Sequence, residues 1–515
     1  MRKDGNTMKR TYKLLALTLA LLMMLFSFAS CSAKDAEDLA DGGQNNSIYP
    51  SVSGKENSKN EADPSEPETT PSGVVENPFI ATAENNVSTF SADVDTASYS
   101  YFRKLVNRGY RLDQLVSAGA SFRTEEFINY FDYDVRQPGD GELFGADAEF
   151  ISCPWSSSTV LLRLTLQAEN AVESSGNNLV FLIDVSGSMN SADKLPLLQE
   201  TFSSLVDQLT ARDRVSIVTY SGKEAVVLNG CPGDQRDRIL NAINGLSAYG
   251  STNGQAGLER AYEVAAQNRI EGGNNRIIMA SDGDLNVGIT SEEQLKAFIE
   301  QKRAAGIYLS VMGFGTGNYQ DAKMEALADN GNGVYYYVDG ESEAEKVLGS
   351  DLLGTLYTVA EDVKLQLTFD TRYVSSYRLI GYENRILNQE DFNDDTKDAG
   401  EVGAGHQVTV CYELTLNEGA RAATSPWLKL AVRYKNPGQT QSLLNEYELG
   451  ASNFSATVSE DMTFLCCLIQ TVMILHQSRY LNGVTLEGVL ETLNTLDLSS
   501  HPNRAEFRDL INKLV

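Results

Sequence analysis

Residues 177–190 read NNLVFLIDVSGSMN, and this stretch carries the strongest single indication of the fold. Five consecutive apolar residues follow the two asparagines, which is typical of a strand buried on both faces of a sheet. The apolar run gives way to Asp184, Ser186 and Ser188 on alternate residues, with the small Gly187 between the hydroxyls. The pattern predicts a buried strand whose end presents one carboxylate and two hydroxyls, just before a helix.

Strands and helices alternate over residues 177–345. Short apolar runs predict further strands in this block: RVSIVTYS, NRIIMASDGD, GIYLSVMGFG and GVYYYVDG. Apolar residues at helical spacing follow the first strand: Leu195, Leu198, Phe202, Leu205 and Leu209. Strand and helix in turn predict an α/β domain with a doubly wound, mostly parallel sheet covered on both faces.

The hydrophobic period changes to two on either side of this block. Apolar residues take alternate positions over 160–166 before it, and over 363–369, 408–414 and 428–434 after it. Such alternation is typical of half-buried antiparallel strands. We predict one antiparallel β-sandwich into which the α/β domain is inserted. Helix-spaced apolar residues from Met462 onward predict a C-terminal helical region.

The N-terminal residues have the pattern of an export signal. Basic residues precede an apolar stretch over 14–28, which is about 22 Å long as a helix and short of the roughly 30 Å hydrocarbon core. The stretch ends FASC, which resembles a bacterial lipobox, with Phe28 where leucine is usual. By that resemblance Cys31 becomes the lipid-carrying N-terminus of a membrane-anchored, extracytoplasmic lipoprotein in the cell envelope. Residues 31–77 are acidic and poor in aliphatics, which predicts a disordered tether.

The composition narrows the classes of partner. The formal net charge is −28, from 42 basic and 70 acidic residues, which argues against binding to nucleic acid or to anionic membrane surfaces. Such a charge fits cationic partners, divalent metals or simply a solvated acidic surface. Five cysteines remain after Cys31 without a CxxC pair, so neither a disulfide framework nor a zinc site is indicated.

Oxygen-bearing side chains recur at the predicted strand ends. Asp184 ends one strand, Asp282 follows another in MASDGD, and Thr252 lies in the loop YGSTNGQAG between them. In a doubly wound sheet, ligands bind at the carboxyl ends of the strands. Two carboxylates and three hydroxyls at one edge are hard ligands, which suit Mg²⁺, with Mn²⁺ and Ca²⁺ as alternatives.

These residues resemble the metal-ion-dependent adhesion site of a von Willebrand factor A domain. Its pattern is Asp-x-Ser-x-Ser, a distant Thr and a later Asp-Gly turn; here the metal ligands would be Asp184, Ser186, Ser188, Thr252 and Asp282. The flanking stretches STFSADVDTASYSYFRKLV and YRLIGYENRILNQEDFNDDTKDAGEVGAGH are similar to a bacterial group of von Willebrand A lipoproteins. The sequence patterns and the resemblance together predict these segments: 1–30 signal peptide, 31–77 tether, 78–143 N-terminal associated domain, 144–176 first part of the sandwich, 177–345 von Willebrand A domain, 346–450 remainder of the sandwich, and 451–515 C-terminal helical domain.

The resemblance also implies a binding function without catalysis. In the family the ion keeps one coordination position open, and a partner protein fills it with an Asp or Glu carboxylate. The alternative is an envelope scaffold in which the metal is structural and the flanking domains bind. A hydrolase is disfavoured, because Ser186 stands where haloacid-dehalogenase-like phosphatases carry their acid–base Asp, and no histidine lies in the α/β block.

Two acidic motifs have simpler explanations than metal binding. Asp93 and Asp95 in SADVDTAS precede a predicted helix, so we interpret them as its N-cap. The cluster in EDFNDDTKDAGE departs from the spacing of an EF-hand, and we interpret it as a solvated acidic loop rather than a Ca²⁺ loop.

Overall fold

A computed structural model describes residues 68–515, apart from residues 71, 171–174, 252–253, 284–291, 304, 316–320, 351–353 and 355. The predicted signal peptide, Cys31 and the tether as far as residue 67 lie outside the described residues, as does Thr252. The strands of the described residues are, in chain order, β1 (Glu68–Thr69), β2 (Val75–Glu76), β3 (Ile80–Ala81), β4 (Val87–Ser91), β5 (Phe144–Ser152), β6 (Val160–Ala168), β7 (Asn177–Asp184), β8 (Arg214–Tyr220), β9 (Ala225–Pro232), β10 (Asn274–Ser281), β11 (Tyr308–Phe314), β12 (Tyr335–Val338), β13 (Thr358–Phe369), β14 (Val374–Ile380), β15 (Gly400–Gly403), β16 (Gln407–Leu416), β17 (Leu428–Lys435) and β18 (Ser442–Leu449).

The α-helices of the same residues are, in chain order, α1 (Ala97–Asn107), α2 (Leu112–Ser117), α3 (Thr124–Asn129), α4 (Leu195–Val206), α5 (Arg236–Asn244), α6 (Gly254–Gln267), α7 (Glu292–Arg303), α8 (Asp321–Asn330), α9 (Glu341–Glu345), α10 (Glu460–His476), α11 (Leu486–Leu493) and α12 (Pro502–Leu514). Among these helices, none combines the length and apolarity needed to cross a bilayer. Helix α10 is the most apolar of the three C-terminal helices, and most of its residues are buried in the protein core.

Among the residues that the structure describes, six strands form the predicted α/β sheet, in the order β12-β11-β10-β7-β8-β9. All neighbours are parallel except β9, which runs antiparallel to β8 at the edge. Alternate residues of β7 pack on opposite faces of the sheet. Phe181 stacks on Phe202 of α4, with 4.2 Å between ring centroids. Leu182 packs in another apolar core, which includes Tyr262 of α6. Helices therefore cover both faces, and the predicted fold class is confirmed.

In the described part of the chain, two antiparallel sheets form the predicted sandwich. One has the order β15-β13-β17-β18, with β4 also paired to β13, and the other has the order β3-β14-β16-β6-β5. Because β6 precedes the α/β domain and its partner β16 follows it, that domain is an insertion in the sandwich. Aromatic contacts join the two sheets, such as Phe369 stacked on Tyr377 at 4.3 Å.

The β6 strand is more buried than its alternating sequence indicates. Every residue of β6 is buried, although a half-buried strand is expected to expose alternate residues. Leu161, on the face away from the sandwich interior, packs in a second apolar core with residues of α10 such as Phe464. Helices therefore cover the outer face of this sheet.

The N-terminal segment is interleaved with the rest of the chain. Strand β4 pairs with β13 and β3 with β14, so both belong to the sandwich. Helices α1 and α3 share an aromatic core with the C-terminal helices, in which Phe131 contacts Phe464 at 5.0 Å between ring centroids. Residues 68–77, expected in the tether, contain the paired strands β1 and β2, and Glu76 is only 5% exposed. Residues 68–77 are therefore part of the folded structure rather than of a disordered tether, and the segment boundaries stay predictions.

The cysteines of the described residues are all buried and free. They are Cys153, Cys231, Cys411, Cys466 and Cys467. They contribute to packing as small apolar side chains, as the absence of any paired spacing in the sequence indicated.

Candidate metal site at the ends of the parallel strands

The two aspartates predicted as ligands lie at the carboxyl ends of two central strands of the sheet. Asp184 is the last residue of β7, and Asp282 directly follows β10. The two strands are parallel neighbours, with Ile183 opposite Ala280. The strand order runs outward in opposite directions from this pair, so both carboxylates lie at the topological switch point, where α/β sheets bind ligands.

The loop after β7 brings the hydroxyls to the same place. The backbone N–H of Ser186 donates to Asp184 Oδ1 at 2.8 Å, and the Oγ atoms of Ser186 and Ser188 are 3.0 Å apart. Ser186 is buried, whereas Ser188 is exposed. The hydroxyl pair therefore reaches from the buried carboxylate to the protein surface.

Two backbone hydrogen bonds hold the neighbouring loop against this motif. Tyr249 N–H donates to Val185 O at 2.7 Å, and Gly187 N–H donates to Gly250 O at 3.0 Å. Residue 250 has a φ of +82°, a left-handed backbone conformation that favours glycine. The chain is thus held beside the motif as far as Gly250, two residues before Thr252.

The carboxylates are buried in a site that favours a cation. Asp184 and Asp282 are 0% and 1% exposed. Burial raises the pKa of Asp184 to about 6, and the charge of Asp282 adds to the rise, while hydrogen bonds from Ser186 oppose it. A cation at this position would stabilise the ionised form.

Lys194 supplies such a cation, although the metal-binding motif of the sequence does not include it. Its Nζ donates to Asp282 Oδ2 at 2.8 Å and to Ser188 O at 3.0 Å. The side chain crosses Gly315, where a Cβ atom would lie 2.2 Å from Lys194 Cε, so this glycine makes room for the lysine. One signal was present in the sequence, because Lys194 is the first basic residue after Asp184.

The residues present fit a divalent metal ion. Two carboxylates and two hydroxyls are hard oxygen donors, which divalent cations prefer. The salt bridge between Lys194 and Asp282 shows that a positive charge is already accommodated at this position. The donor set suits Mg²⁺, Mn²⁺ and Ca²⁺ alike, so it does not select one ion.

The Asp93 and Asp95 motif serves a different purpose from the one predicted. Neither aspartate caps α1, whose N-cap is Thr96 without a side-chain hydrogen bond. Asp95 Oδ1 instead accepts from the backbone N–H of Tyr335 in β12. The guanidinium of Arg385 lies within 3.5 Å of four carboxylates: Asp93, Asp95, Glu325 and Asp329. The N-cap interpretation was wrong. The two carboxylates contact Arg385, and Asp95 also contacts the backbone of β12 in the α/β domain, so neither caps the helix.

The acidic loop over 390–401 is only partly solvated. Glu390 and Asp394 are exposed, as expected, but Asp395 accepts hydrogen bonds from Arg433 and Ser442. Glu401, at the end of the loop, is only 8% exposed. The interpretation as a solvated loop therefore holds for its outer residues alone.

Three family models match the chain. The model described as "von Willebrand factor" matches residues 68–163, "von Willebrand factor type A domain" matches residues 178–349, and "Uncharacterized protein YfbK, C-terminal" matches residues 354–515. The protein YfbK of Escherichia coli (strain K12) is 39% identical over 442 residues, which cover 80% of this chain and 75% of that protein. The chain belongs to the YfbK family. The predicted resemblance to a bacterial group of von Willebrand A proteins is confirmed, while the lipid anchor stays a prediction.

More distant relatives of this YfbK-family chain share parts of it. The human inter-alpha-trypsin inhibitor heavy chain H3 is 26% identical over 263 residues, covering 48% of this chain and 29% of the heavy chain. A solved structure of "von Willebrand factor type A from Catenulispora acidiphila" is 15% identical, covers 75% of this chain and 88% of that chain, and has a TM-score of 0.40. Von Willebrand A domains commonly mediate protein interactions that depend on a divalent metal, and residues 178–349 of this YfbK-family chain are such a domain.

Proposed function

We propose that this protein binds a protein partner through a divalent metal held at Asp184, Ser186, Ser188, Thr252 and Asp282. The observation that carries the proposal is the convergence of two buried carboxylates and two hydroxyls at the switch point, with an ammonium already paired to Asp282. Mg²⁺ is the ion we expect, with Mn²⁺ and Ca²⁺ as alternatives.

The described side chains have distinct tasks in this function. Asp184 and Asp282 supply the negative charge that attracts the ion, and Ser186 and Ser188 supply neutral oxygens. The exposed position of Ser188 leaves one side of the site open to the surface. A bound ion there supplies an electrophilic centre with room for an Asp or Glu carboxylate of the partner.

The site supports binding rather than catalysis. In haloacid-dehalogenase-like phosphatases, an aspartate at the position of Ser186 acts as the general acid and base. A serine hydroxyl does not transfer protons in this way near neutral pH, so Ser186 is unsuited to that role. No histidine occurs between residues 177 and 345, which leaves a Ser nucleophile at this site without the usual base. We therefore propose a non-enzymatic protein.

We propose an extracytoplasmic location in the cell envelope, with a lipid on Cys31 as the only membrane attachment. The support is the basic and apolar N-terminal pattern followed by FASC. Mass spectrometry of the mature protein should find a diacylglyceryl group on an N-terminal Cys31. Cleavage at another residue, or an unmodified Cys31, would contradict the anchor.

Partner capture tests the binding function. Mature protein on a solid support should retain an envelope protein in Mg²⁺ and release it in chelator. Thr252→Ala should lose this capture, whereas Ser251→Ala, which removes the neighbouring hydroxyl outside the ligand set, should keep it. Capture that survives both chelator and Thr252→Ala would favour the alternative, a scaffold whose flanking domains bind the partner.

A further inference from the structure

A second group of carboxylates lies near the amino ends of the parallel strands, away from the first candidate site. Asp362 of β13, Asp398 of the acidic loop and Glu401 of β15 each place one carboxylate oxygen within 4.8 Å of the other two. The start of β11 is nearby, because Tyr308 donates from its hydroxyl to Glu361, the residue before Asp362. The group therefore lies near the amino end of a parallel strand, whereas Asp184 lies at a carboxyl end.

Glu401 is the member of this group that points to a ligand. It is 8% exposed, and its Oε1 accepts no hydrogen bond from the described part of the chain. Burial raises the pKa of Glu401 well above its ordinary range, and the charges of Asp398 and Asp362 add to the rise. A buried carboxylate beside two like charges is costly unless it binds a cation or a proton.

The nearby basic side chains leave Glu401 without a salt bridge among the described residues. Arg303 donates to both oxygens of Asp398 at 2.7 and 2.9 Å, and Lys435 Nζ lies 2.5 Å from Asp362 Oδ2. This arrangement differs from the cluster around Asp93, where Arg385 contacts four carboxylates and supplies the central cation.

A route from solvent to this group exists. The Asp398 side chain is 42% exposed, and Asp362 is partly exposed at 16%. The backbone of Asp362 has a φ of +52°, and the pairing of β13 with β17 is irregular between Glu361 and Lys364. This irregularity presents Asp362 beside the loop, where its Oδ1 accepts from the backbone N–H of Ala399.

The geometry points to a second divalent-cation site formed by Asp362, Asp398 and Glu401, with Ca²⁺ as the preferred ion. Three carboxylates, of which one is buried and one is exposed, match the oxygen-rich and adaptable coordination of Ca²⁺ better than the strict octahedron of Mg²⁺. Since these residues lie on β13, on the acidic loop and on β15, the ion would fasten the loop to the sandwich beside α7 of the von Willebrand A domain.

Calorimetry with Ca²⁺ on the mature chain tests this site. The background is Asp184→Ala, which disables the first site, so that the result is independent of the proposed function. This protein, stripped with chelator, should bind one Ca²⁺, and Glu401→Gln in the same background should weaken binding by at least about tenfold. The matched control, Glu390→Gln, removes an exposed carboxylate from the same loop and should bind as the background does.

Asp398→Asn provides a second variant, which we expect to fold because the Asp398 side chain is 42% exposed. It should also weaken Ca²⁺ binding, and both variants should keep the far-ultraviolet circular dichroism of the background. The proposal is overturned if the Asp184→Ala protein binds no Ca²⁺, which would mean that Glu401 is simply protonated. It is equally overturned if Glu401→Gln and Asp398→Asn bind Ca²⁺ as the background does.

Discussion

At the scale of single residues, one lysine supplies the positive charge that lies beside the candidate metal ligands. Asp184 ends β7, and Lys194 directly precedes α4 and pairs with Asp282 across the site. Lys194 is 12% exposed along its side chain, so its charge acts in a partly desolvated setting where electrostatic interactions are stronger than in water. We therefore expect the affinity for metal to depend on this lysine as well as on the ligands.

Asp184→Ala should abolish most of the thermal stabilisation that Mg²⁺ gives. A ligand that binds only the folded state adds about 2.7 kcal/mol at a hundredfold excess over Kd. The Ala variant should also gain a little stability without metal, since Asp184 no longer repels Asp282, although Lys194 already offsets part of that repulsion. Thr252→Ala should lose metal affinity without this gain.

The measurements for this pair are melting curves with and without Mg²⁺, together with calorimetry. Both variants should keep the far-ultraviolet circular dichroism of the wild type. Wild-type affinity for metal in both variants would show that the site is assigned to the wrong residues.

Lys194→Met should raise the affinity for Mg²⁺ by roughly tenfold, because a fixed positive charge no longer competes for Asp282. The same variant should lower the melting temperature of the metal-free protein, since it removes the salt bridge between Lys194 and the buried Asp282. Calorimetry and thermal melts measure the two effects. Lys223→Met is the control, because Lys223 is exposed; an unchanged affinity in Lys194→Met would contradict the competition.

At the scale of elements, buried ion pairs join the N-terminal segment to the von Willebrand A domain. Arg385, after β14, contacts Asp93 ahead of α1 and Asp329 of α8. Arg103 of α1 contacts Asp339 and Glu343, the latter in α9. These contacts fix the orientation of elements that sequence patterns treat as separate.

Arg385→Met should destabilise the protein by about 3–5 kcal/mol, because removing one partner leaves buried carboxylates uncompensated. Chemical denaturation measures the change in the free energy of unfolding. Arg372→Met is the control: its ion pair with Asp370 is largely exposed at 68% for the arginine, and such pairs contribute about 0–1 kcal/mol. An equal decrease in the free energy of unfolding for both variants would show that the buried ion pairs stabilise the protein no more than an exposed pair does.

The turn after β14 should make stability depend on pH. Desolvation raises the pKa of Glu383 from 4.5 to about 8, and the charge of Glu125 adds to the rise. Between these values the native state keeps a proton that the unfolded state releases, so the free energy of unfolding falls as pH rises from about 4.5 to 8.

Glu383→Gln should therefore stabilise the protein at pH 8, by roughly 2–4 kcal/mol, and have little effect near pH 4.5. Melting temperatures at the two pH values test this. The exposed Glu390→Gln should change neither value, and an equal shift of Glu383→Gln at both pH values would refute a titration effect.

At the scale of the whole molecule, the inserted domain and the sandwich share one apolar cluster. It includes Leu179 and Phe202 from the α/β domain together with Leu365 and Leu430 from the sandwich. Elements that share a core and buried ion pairs unfold together, because each loses its packing when the other opens. Calorimetry of the metal-free protein should therefore show a single unfolding transition.

Excising residues 177–345 should give a domain that melts at a lower temperature than the whole protein. It would lose the hydrogen bond from Tyr335 to Asp95 and the ion pair of Asp339 with Arg103. Two separate transitions in the whole protein, with one matching the excised domain, would contradict this coupling.

Local pattern was sufficient to predict much of the fold and the core of the first site. The apolar run before Asp184 and the alternating residues of β6 indicate their own secondary structure, because burial imposes periods that appear directly in the sequence. Asp184 and Asp282 were predicted together for the same reason: parallel strands end at a common edge, so two strand ends suffice to bring the side chains together.

Only the tertiary structure decided the contacts that join distant segments. Arg385 lies 292 residues from Asp93, and Lys194 lies 88 residues from Asp282; neither separation has a period that a sequence pattern could show. Likewise, Glu401 belongs to an acidic loop that composition describes as solvated, and only the packing of β15 against its neighbours buries it. The sequence by itself determined where strands end and which oxygens stand there, because these are local properties of the chain. Which charges meet, and which of them lose water, depends on how the whole chain folds together.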